Sequence, residues 1–140
     1  MVTRTQALVV LEKLKAAKPS KTLKDFDGLD RGLDFVLIYL SEHNNVYATT
    51  LSEEMCISRA RIAVLLAKLE NRGFICKLPS PTDARIEVVE ITQAGHDEVA
   101  RIKENAIKRM MKIIDVVGSD EIDNFVNTLI KICSIVESQT

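Results

Sequence analysis

The sequence predicts a mainly α-helical, α+β fold in which several helices surround one small β-hairpin. Three observations support this. Apolar residues recur at helical spacing along most of the chain, residues 74–91 hold two short apolar runs around a Pro-rich turn, and two long helical segments follow. Between residues 49 and 92 the predicted order is helix, tight turn, helix and hairpin. That order is the layout of a winged helix-turn-helix.

The first segments are predicted to be helical. Residues 5–17 carry Leu residues on one side, and Lys18-Pro19 ends that helix. Asp30 is a suitable N-cap for a second helix. A buried i, i+3, i+4, i+7 stripe in the second helix is expected from Leu33, Val36, Leu37 and Leu40. Residues 46–48 are predicted to form a short strand.

Two capped helices are predicted next. Thr50 and Glu53 have the spacing of a capping box, so the third helix is expected to begin after Thr50. Ser58 is predicted to cap the fourth helix, and Gly73 to end it in the left-handed conformation. The stripe that the fourth helix is expected to bury consists of Ile62, Leu65, Leu66 and Leu69.

The hairpin and two long helices complete the predicted fold. Residues 74–78 and 85–91 are expected to pair across a turn. The doublet Val88-Val89 interrupts the alternation, so either both faces are covered there or a bulge is present. Helices are predicted at 93–117, capped by Thr92, and at 119–138. The expected apolar stripe of the first of these is Val99, Ile102, Ala106, Met110, Ile113 and Val117.

Length and composition exclude several classes of protein. The 140 residues fit a single domain, 1–140, in which 30–92 would be the winged lobe. No apolar run reaches the roughly 18 residues of a membrane span, and the N-terminus lacks the apolar core of a signal peptide. A cytoplasmic location without membrane association is therefore expected. The three cysteines, odd in number and widely spaced, argue against a disulfide framework.

The sequence contains no recognisable catalytic or metal-binding pattern. His43 and His96 are isolated, and no Cys, His and carboxylate cluster has metal-ligand spacing. The chain contains no phosphate-binding Gly-rich loop and no nucleophile elbow. We therefore expect no catalytic residues, no metal, no cofactor and no enzymatic activity.

Charge is distributed unevenly along the chain. The net charge is −1 and the isoelectric point about 6.1, which is low for a nucleic-acid binder. Residues 58–85 nevertheless carry a local charge of +4, and residues 1–24 carry +5. A protein with one basic face can bind phosphates despite an acidic total. The alternative is that these charges are ordinary solvated side chains.

The fourth helix has the composition of a DNA-reading helix. With its apolar stripe inward, its opposite side presents small residues that allow close approach to thymine methyl groups. Its cations lie at its N-terminal end, where they reach base edges, and farther along, where they reach phosphates. Residues expected in the major groove are Ser58, Arg59, Ala60, Arg61 and Val64. Residues expected at the DNA backbone are Lys68, Arg72 and Lys77. A small apolar strip also suits a protein partner.

The turn of the hairpin contains Asp83-Ala84-Arg85. An Arg at this position can enter the narrow, negative minor groove. An Asp two residues earlier can orient the guanidinium through a charge-assisted hydrogen bond. Spacing alone leaves a second interpretation open, in which Asp83 caps the turn beside an ordinary surface Arg.

Residues 48–95 resemble the MarR (multiple antibiotic resistance regulator) family of winged helix-turn-helix transcription regulators. The motifs that carry the resemblance are Ile57-Ser58, Leu69-Glu70, Arg72-Gly73-Phe74-Ile75, Pro81-Thr82-Asp83-Ala84-Arg85 and Ile91-Thr92-Gln93-Ala94-Gly95. The resemblance implies a homodimer on a pseudo-palindromic operator, with Arg85 in the minor groove. It leaves open a small-molecule effector, which no residue identifies. The chain departs from the family at Cys56, where Gly is common, and at Ala63 and Val64, where polar residues are common.

The terminal helices are the expected dimerisation region. The resemblance implies that residues 1–17 and 93–138 form the interface. A 25-residue helix is about 37 Å long, more than a small lobe needs, so a partner chain is expected to cover its far end. The candidate interface residues are Met110, Ile113, Ile122, Val126, Leu129 and Cys133. The alternative is that these helices fold back on their own chain.

The expected function is sequence-specific binding of double-stranded DNA by a homodimeric transcriptional regulator, with repression favoured. The alternatives are a winged-helix module that docks a protein through the strip with Ala60 and Val64, and a non-specific DNA-binding protein. Cys56 is a candidate redox switch, because the positive N-terminus of the following helix favours a thiolate. The other interpretation of Cys56 is a small buried hydrophobe.

Overall fold

The computed structural model describes residues 1–17 and 31–139. Those residues form six helices and one two-stranded antiparallel sheet, as the sequence predicted. The elements are α1 (Arg4–Ala17), α2 (Arg31–Glu42), α3 (Ala48–Met55), α4 (Arg59–Asn71), β1 (Ile75–Pro79), β2 (Glu87–Ile91), α5 (Gln93–Val117) and α6 (Ser119–Ser138). The predicted helix stop at Lys18-Pro19 and the predicted cap at Asp30 lie outside the described residues. No helix in the described ranges has the length and apolar character needed to span a membrane.

The chain divides into two compact units. The described residues of the first, 31–102, are here called the lobe. Those of the second, 1–17 and 103–139, are called the terminal-helix unit. The lobe extends beyond the predicted limit of residue 92, because Val99 and Ile102 of α5 pack with its core.

One face of α4 is buried in the core of the lobe. All four members of the predicted α4 stripe, from Ile62 to Leu69, are buried. They pack with α2, in which Val36, Leu37 and Leu40 are buried and Leu33 is partly buried. Local periodicity therefore predicted both contacting faces correctly. Because the inner face of α4 is fixed in the core, its outer face is presented to solvent.

The start of α3 differs from the prediction. The helix begins at Ala48, and its N-cap position is Tyr47, which makes no side-chain capping bond. Thr50 and Glu53 lie inside the helix, so the predicted capping box is wrong. The cause is a long-range contact, in which the Val89 N–H donates to the Val46 carbonyl at 2.8 Å. That contact makes Val46 an isolated bridge on β2, and the chain turns into helix directly afterwards.

The bridge also accounts for the Val88-Val89 doublet. Both residues are buried, and the register runs without interruption from Ile75 opposite Ile91 to Pro79 opposite Glu87. The first alternative, with both faces covered, is therefore correct, and no bulge is present in this hairpin. β2 begins two residues later than predicted, because the Ile86 N–H donates to the Asp83 carbonyl inside the turn. β1 lies one residue farther along the chain than predicted.

The terminal-helix unit has a smaller core. Its buried apolar cluster contains Ala7, Val10, Ile107, Ile114 and Val126. The expected stripe of α5 is correct at Val99 and wrong toward its C-terminal end, where Ile113 and Val117 are exposed. Ile107 and Ile114 face the core instead, because α1 and α6 pack against that side of the helix.

Candidate nucleic-acid interface

A tight turn joins α3 to α4. Cys56 adopts the left-handed conformation with φ of 55°, and its N–H donates to the Glu53 carbonyl at 3.3 Å. Residues other than Gly rarely adopt this backbone conformation. This explains why Gly is common at this position in the MarR family, which the sequence resembles. Cys56 is exposed, so it is not the buried hydrophobe of the alternative interpretation. Its redox role stays a prediction.

Ser58 caps α4 as the sequence predicted. Its backbone is extended, and its hydroxyl oxygen accepts from the Arg61 N–H at 3.2 Å. This cap fixes the first turn of the helix, where the backbone N–H groups and the helix dipole favour an anion. The N-terminus of α4 is thereby oriented toward solvent with Arg59 and Arg61 beside it, both exposed.

The outer face of α4 is small and apolar. Ala60 and Val64 are exposed, the latter by 54%. Ala63 and Ala67 lie on the same exposed side. Such a face permits close approach to another surface and carries few hydrogen-bonding groups. The predicted major-groove residues therefore share one accessible surface.

The predicted backbone cations are distributed over two elements. Lys68 and Arg72 are exposed at the C-terminal end of α4, and Lys77 is half-buried on β1. The pKa of Glu98 on α5 is lowered, first by hydrogen bonds from Arg101 and further by the charges of Arg101 and Arg72.

The wing turn holds its arginine in a defined orientation. The Arg85 Nε and one terminal nitrogen donate to the two carboxylate oxygens of Asp83 at 3.1 and 3.2 Å. The Arg85 backbone N–H donates to the same carboxylate at 3.0 Å. Side-chain and backbone hydrogen bonds from Arg85 hold the pKa of Asp83 below its ordinary value. Asp83 therefore caps the turn and also orients the guanidinium. Entry of Arg85 into the minor groove stays a prediction.

The base of the wing is fastened to the start of α5. The Thr92 hydroxyl donates to the Gly73 carbonyl at 2.6 Å and accepts from the Gly95 N–H at 3.1 Å. A Cβ added at Gly95 would collide with the Phe74 carbonyl oxygen, so only Gly permits this close approach. Gly73, at φ of +75°, reverses the chain after α4 as predicted.

Sequence reasoning missed two residues at the other end of the wing. The hydroxyls of Tyr47 and Ser80 lie 3.0 Å apart, and Ser80 is buried. The two residues are 33 positions apart. Neither belongs to a local motif, so no sequence signal could have paired them.

The predicted dimer-interface residues fall into two groups. Ile113 is exposed, and Met110, Ile122 and Leu129 are half-buried. Val126 and Cys133 are each 2% exposed and are covered by the chain itself, so they are not available to a partner. The exposed large apolar residues of α6 are Phe125, Ile132, Ile135 and Val136.

Comparison with known proteins finds a family similarity in the lobe. Residues 35–86 match the MarR family model. That segment contains the turn at Cys56, the whole of α4 and the Asp83–Arg85 pair. The chain therefore resembles the MarR family over this segment, which is somewhat more than a third of its length.

The chain is also similar to individual transcriptional regulators. The HTH-type transcriptional regulator BilQ of Clostridioides difficile (strain CD3) is 31% identical over 83 residues, which are 59% of this chain and 55% of BilQ. The chain spans about half the length of the curated relatives it matches. A mutant of S. aureus MepR has a TM-score of 0.64 at 18% identity, covering 92% of this chain and 93% of MepR. The transcriptional repressor CouR, bound to a 23-mer DNA duplex, has a TM-score of 0.63 at 22% identity, covering 89% and 84%. The last two comparisons show the winged-helix fold.

Proposed function

We propose that this chain is a sequence-specific transcriptional regulator of the MarR family, and that it represses transcription as a homodimer bound to a pseudo-palindromic operator in duplex DNA. The observation that carries the proposal is the pairing, within one lobe, of an accessible recognition helix and an oriented wing arginine. The first suits a major groove and the second a minor groove. Repression follows physically when a bound dimer occludes a promoter.

Each element of the lobe has a role in this proposal. Ser58, Arg59, Ala60, Arg61 and Val64 enter the major groove. Arg85, held by Asp83, enters the adjacent minor groove, and Lys68, Arg72 and Lys77 contact the backbone. The acidic net charge is compatible with this role, because the local charge of residues 58–85 is +4.

The exposed apolar side chains of α5 and α6 support the homodimer. Ile113, Phe125 and Ile132 are between 43% and 62% exposed in the single chain. Large apolar patches on a soluble protein mark interaction surfaces. In a two-fold dimer the two α4 helices would lie about 34 Å apart, one turn of B-DNA.

Selection from a random duplex library tests the proposal. The expected result is a two-fold symmetric motif whose half-sites lie about 10 bp apart. A variant with Arg59→Ala and Arg61→Ala is the matched control and should recover no motif. Retention without a motif would indicate a non-specific binder, and absence of retention at low salt would overturn DNA binding.

A second candidate is docking of a partner protein by the same helix. The 54% exposure of Val64, next to small residues, favours it. A protein-docking helix would retain no DNA in the selection, whereas Val64→Asp would still abolish capture of the partner. The two candidate functions therefore predict different outcomes for retention of DNA in the selection.

A further inference from the structure

The wing places Arg85 far from the covalent base of its hairpin. β1 follows Gly73 at the end of α4, and the Asp83–Arg85 pair lies in the turn beyond Pro79. Five extended residues span roughly 13–17 Å. An isolated two-stranded hairpin is marginally stable in water. A small change of angle at the base would therefore displace Arg85 by several ångströms unless the tip is held.

Ser80 joins that tip to the start of α3. Its hydroxyl lies 3.0 Å from the Tyr47 hydroxyl, 3.2 Å from the Thr82 hydroxyl and 3.4 Å from the Thr82 N–H. Its backbone N–H donates to the Ile86 carbonyl across the turn at 2.8 Å. Ser80 is only 5% exposed. Its hydroxyl is therefore a buried group with partners both in the wing turn, at Thr82, and at the start of α3, at Tyr47.

A second contact holds the hairpin nearer its middle. The Val89 N–H on β2 donates to the Val46 carbonyl. Val46 and Tyr47 are adjacent, so one short segment contacts the wing at two separated points. Two points of attachment fix the angle between the wing and this segment, whereas a single point would let the wing rotate about it. The same segment leads into α3, which the turn at Cys56 connects to α4.

We propose that Tyr47 and Ser80 are positioning residues for the wing. Their hydroxyls fix the wing turn relative to α3 and α4, so that Arg85 reaches the minor groove when α4 is in the major groove. The bonds run from Tyr47 through Ser80 to Thr82, and the next residue is Asp83, which holds Arg85. The functional part of this inference rests on the proposed DNA binding, whereas the mechanical part does not.

Amide hydrogen exchange tests the mechanical part without DNA. Tyr47→Phe removes one hydroxyl and keeps the ring. We expect about 3- to 10-fold faster exchange at the amides of Ser80, Arg85 and Ile86, the range for one lost hydrogen bond, with α4 unchanged. The matched control is Tyr39→Phe on α2, since the chain has two tyrosines and the ring of Tyr39 stacks on Phe35 and His43. Unchanged exchange in the wing of Tyr47→Phe would overturn the proposal.

A double-mutant cycle tests the functional part, with the duplex recovered by selection as the probe. Tyr47→Phe should weaken binding about 3- to 10-fold. In the Arg85→Ala background it should cost nothing further, because the residue acts through Arg85. An equal loss in both backgrounds would indicate general stabilisation and would overturn the positioning role. Ser80→Ala should reproduce the same pattern.

The two experiments separate the two hypotheses. If the wild-type chain binds no duplex at low salt, the proposed function fails, and hydrogen exchange still decides whether the hydroxyl pair holds the wing. If the wild type binds and Tyr47→Phe binds equally well, DNA binding stands and the positioning role is overturned.

Discussion

The lobe and the terminal-helix unit differ in how many large apolar side chains they expose to solvent. In the lobe, three large apolar side chains are exposed, namely Val64, Leu78 and Ile86. In the terminal-helix unit ten are exposed, most of them on α5 and α6. The lobe thus completes its core within one chain. The terminal-helix unit retains an apolar surface that a second copy would cover.

The three exposed apolar residues of the lobe are informative by their positions. Val64 lies on the outer face of α4, Leu78 on β1 and Ile86 in the wing turn. All three therefore belong to the elements that we propose contact DNA. The exposed surface therefore differs between the units, since the terminal helices present many large apolar side chains, whereas the lobe presents few of them, together with small residues and cations.

The largest effect is expected in the lobe core. Ile62→Ala should lower the free energy of unfolding by about 2–5 kcal/mol, because a fully buried side chain leaves a cavity between α4 and α2. Urea denaturation measures it. Val64→Ala on the same helix is the matched control and should change stability by less than about 0.5 kcal/mol. Equal losses would contradict the assignment of inner and outer faces.

The second prediction concerns the fastening of the wing base. Gly95→Ala should destabilise the lobe by about 1–3 kcal/mol, because the added Cβ collides with the Phe74 carbonyl oxygen. Thermal unfolding measures it. The neighbouring exposed Ala94→Ser substitution serves as control and should have a small effect. A neutral Gly95→Ala variant would show that α5 does not approach the α4–β1 turn this closely.

The terminal-helix unit provides the third prediction. Phe125 is 62% exposed in the single chain, so Phe125→Asp should leave the chain folded and weaken self-association at least about 10-fold. Light scattering over a concentration series measures it. Asn127→Asp adds the same charge at an exposed polar position of α6 and should leave the association intact. A monomeric wild type would contradict the proposed homodimer.

The fourth prediction tests the polar surface of the lobe. Arg85→Ala should weaken DNA binding and reduce the slope of log K against log salt by about 1, because one cation near the phosphates is lost. Titration at several salt concentrations gives the slope. Lys112→Ala, which removes an exposed cation from α5, is the control and should preserve it. An unchanged slope in Arg85→Ala would contradict the wing assignment.

Features set by local spacing were predictable from the sequence. The α4 stripe from Ile62 to Leu69, the cap at Ser58 and the αL glycine at Gly73 each depend on residues a few positions apart. The hydrogen bonds between Asp83 and Arg85 were one of the two arrangements that their two-residue spacing allowed. A side-chain period or a two-residue spacing leaves few alternative geometries.

Features set by distant partners were not predictable. The start of α3 depends on pairing between Val46 and Val89, which no local pattern records. The far end of α5 has apolar residues on more than one side, and only packing against α1 and α6 selects Ile107 and Ile114 for the core. The Tyr47–Ser80 contact joins residues 33 positions apart for the same reason.

The smallest expected effect concerns the titration of Asp83. Because Arg85 donates hydrogen bonds to the charged carboxylate, the pKa of Asp83 lies below its ordinary value of 3.8. A lowered pKa means that the pairing contributes fully above that ordinary value and is lost as pH falls through the lowered one. The pairing of Asp83 with Arg85 is therefore present at neutral pH and is lost only below the ordinary pKa of 3.8. A carboxyl NMR titration should show the lowered midpoint, and Arg85→Ala should return it toward 3.8. Arg61→Ala removes a cation from α4 and should not move it. The same midpoint with and without Arg85 would mean that the lobe does not hold its wing arginine through Asp83.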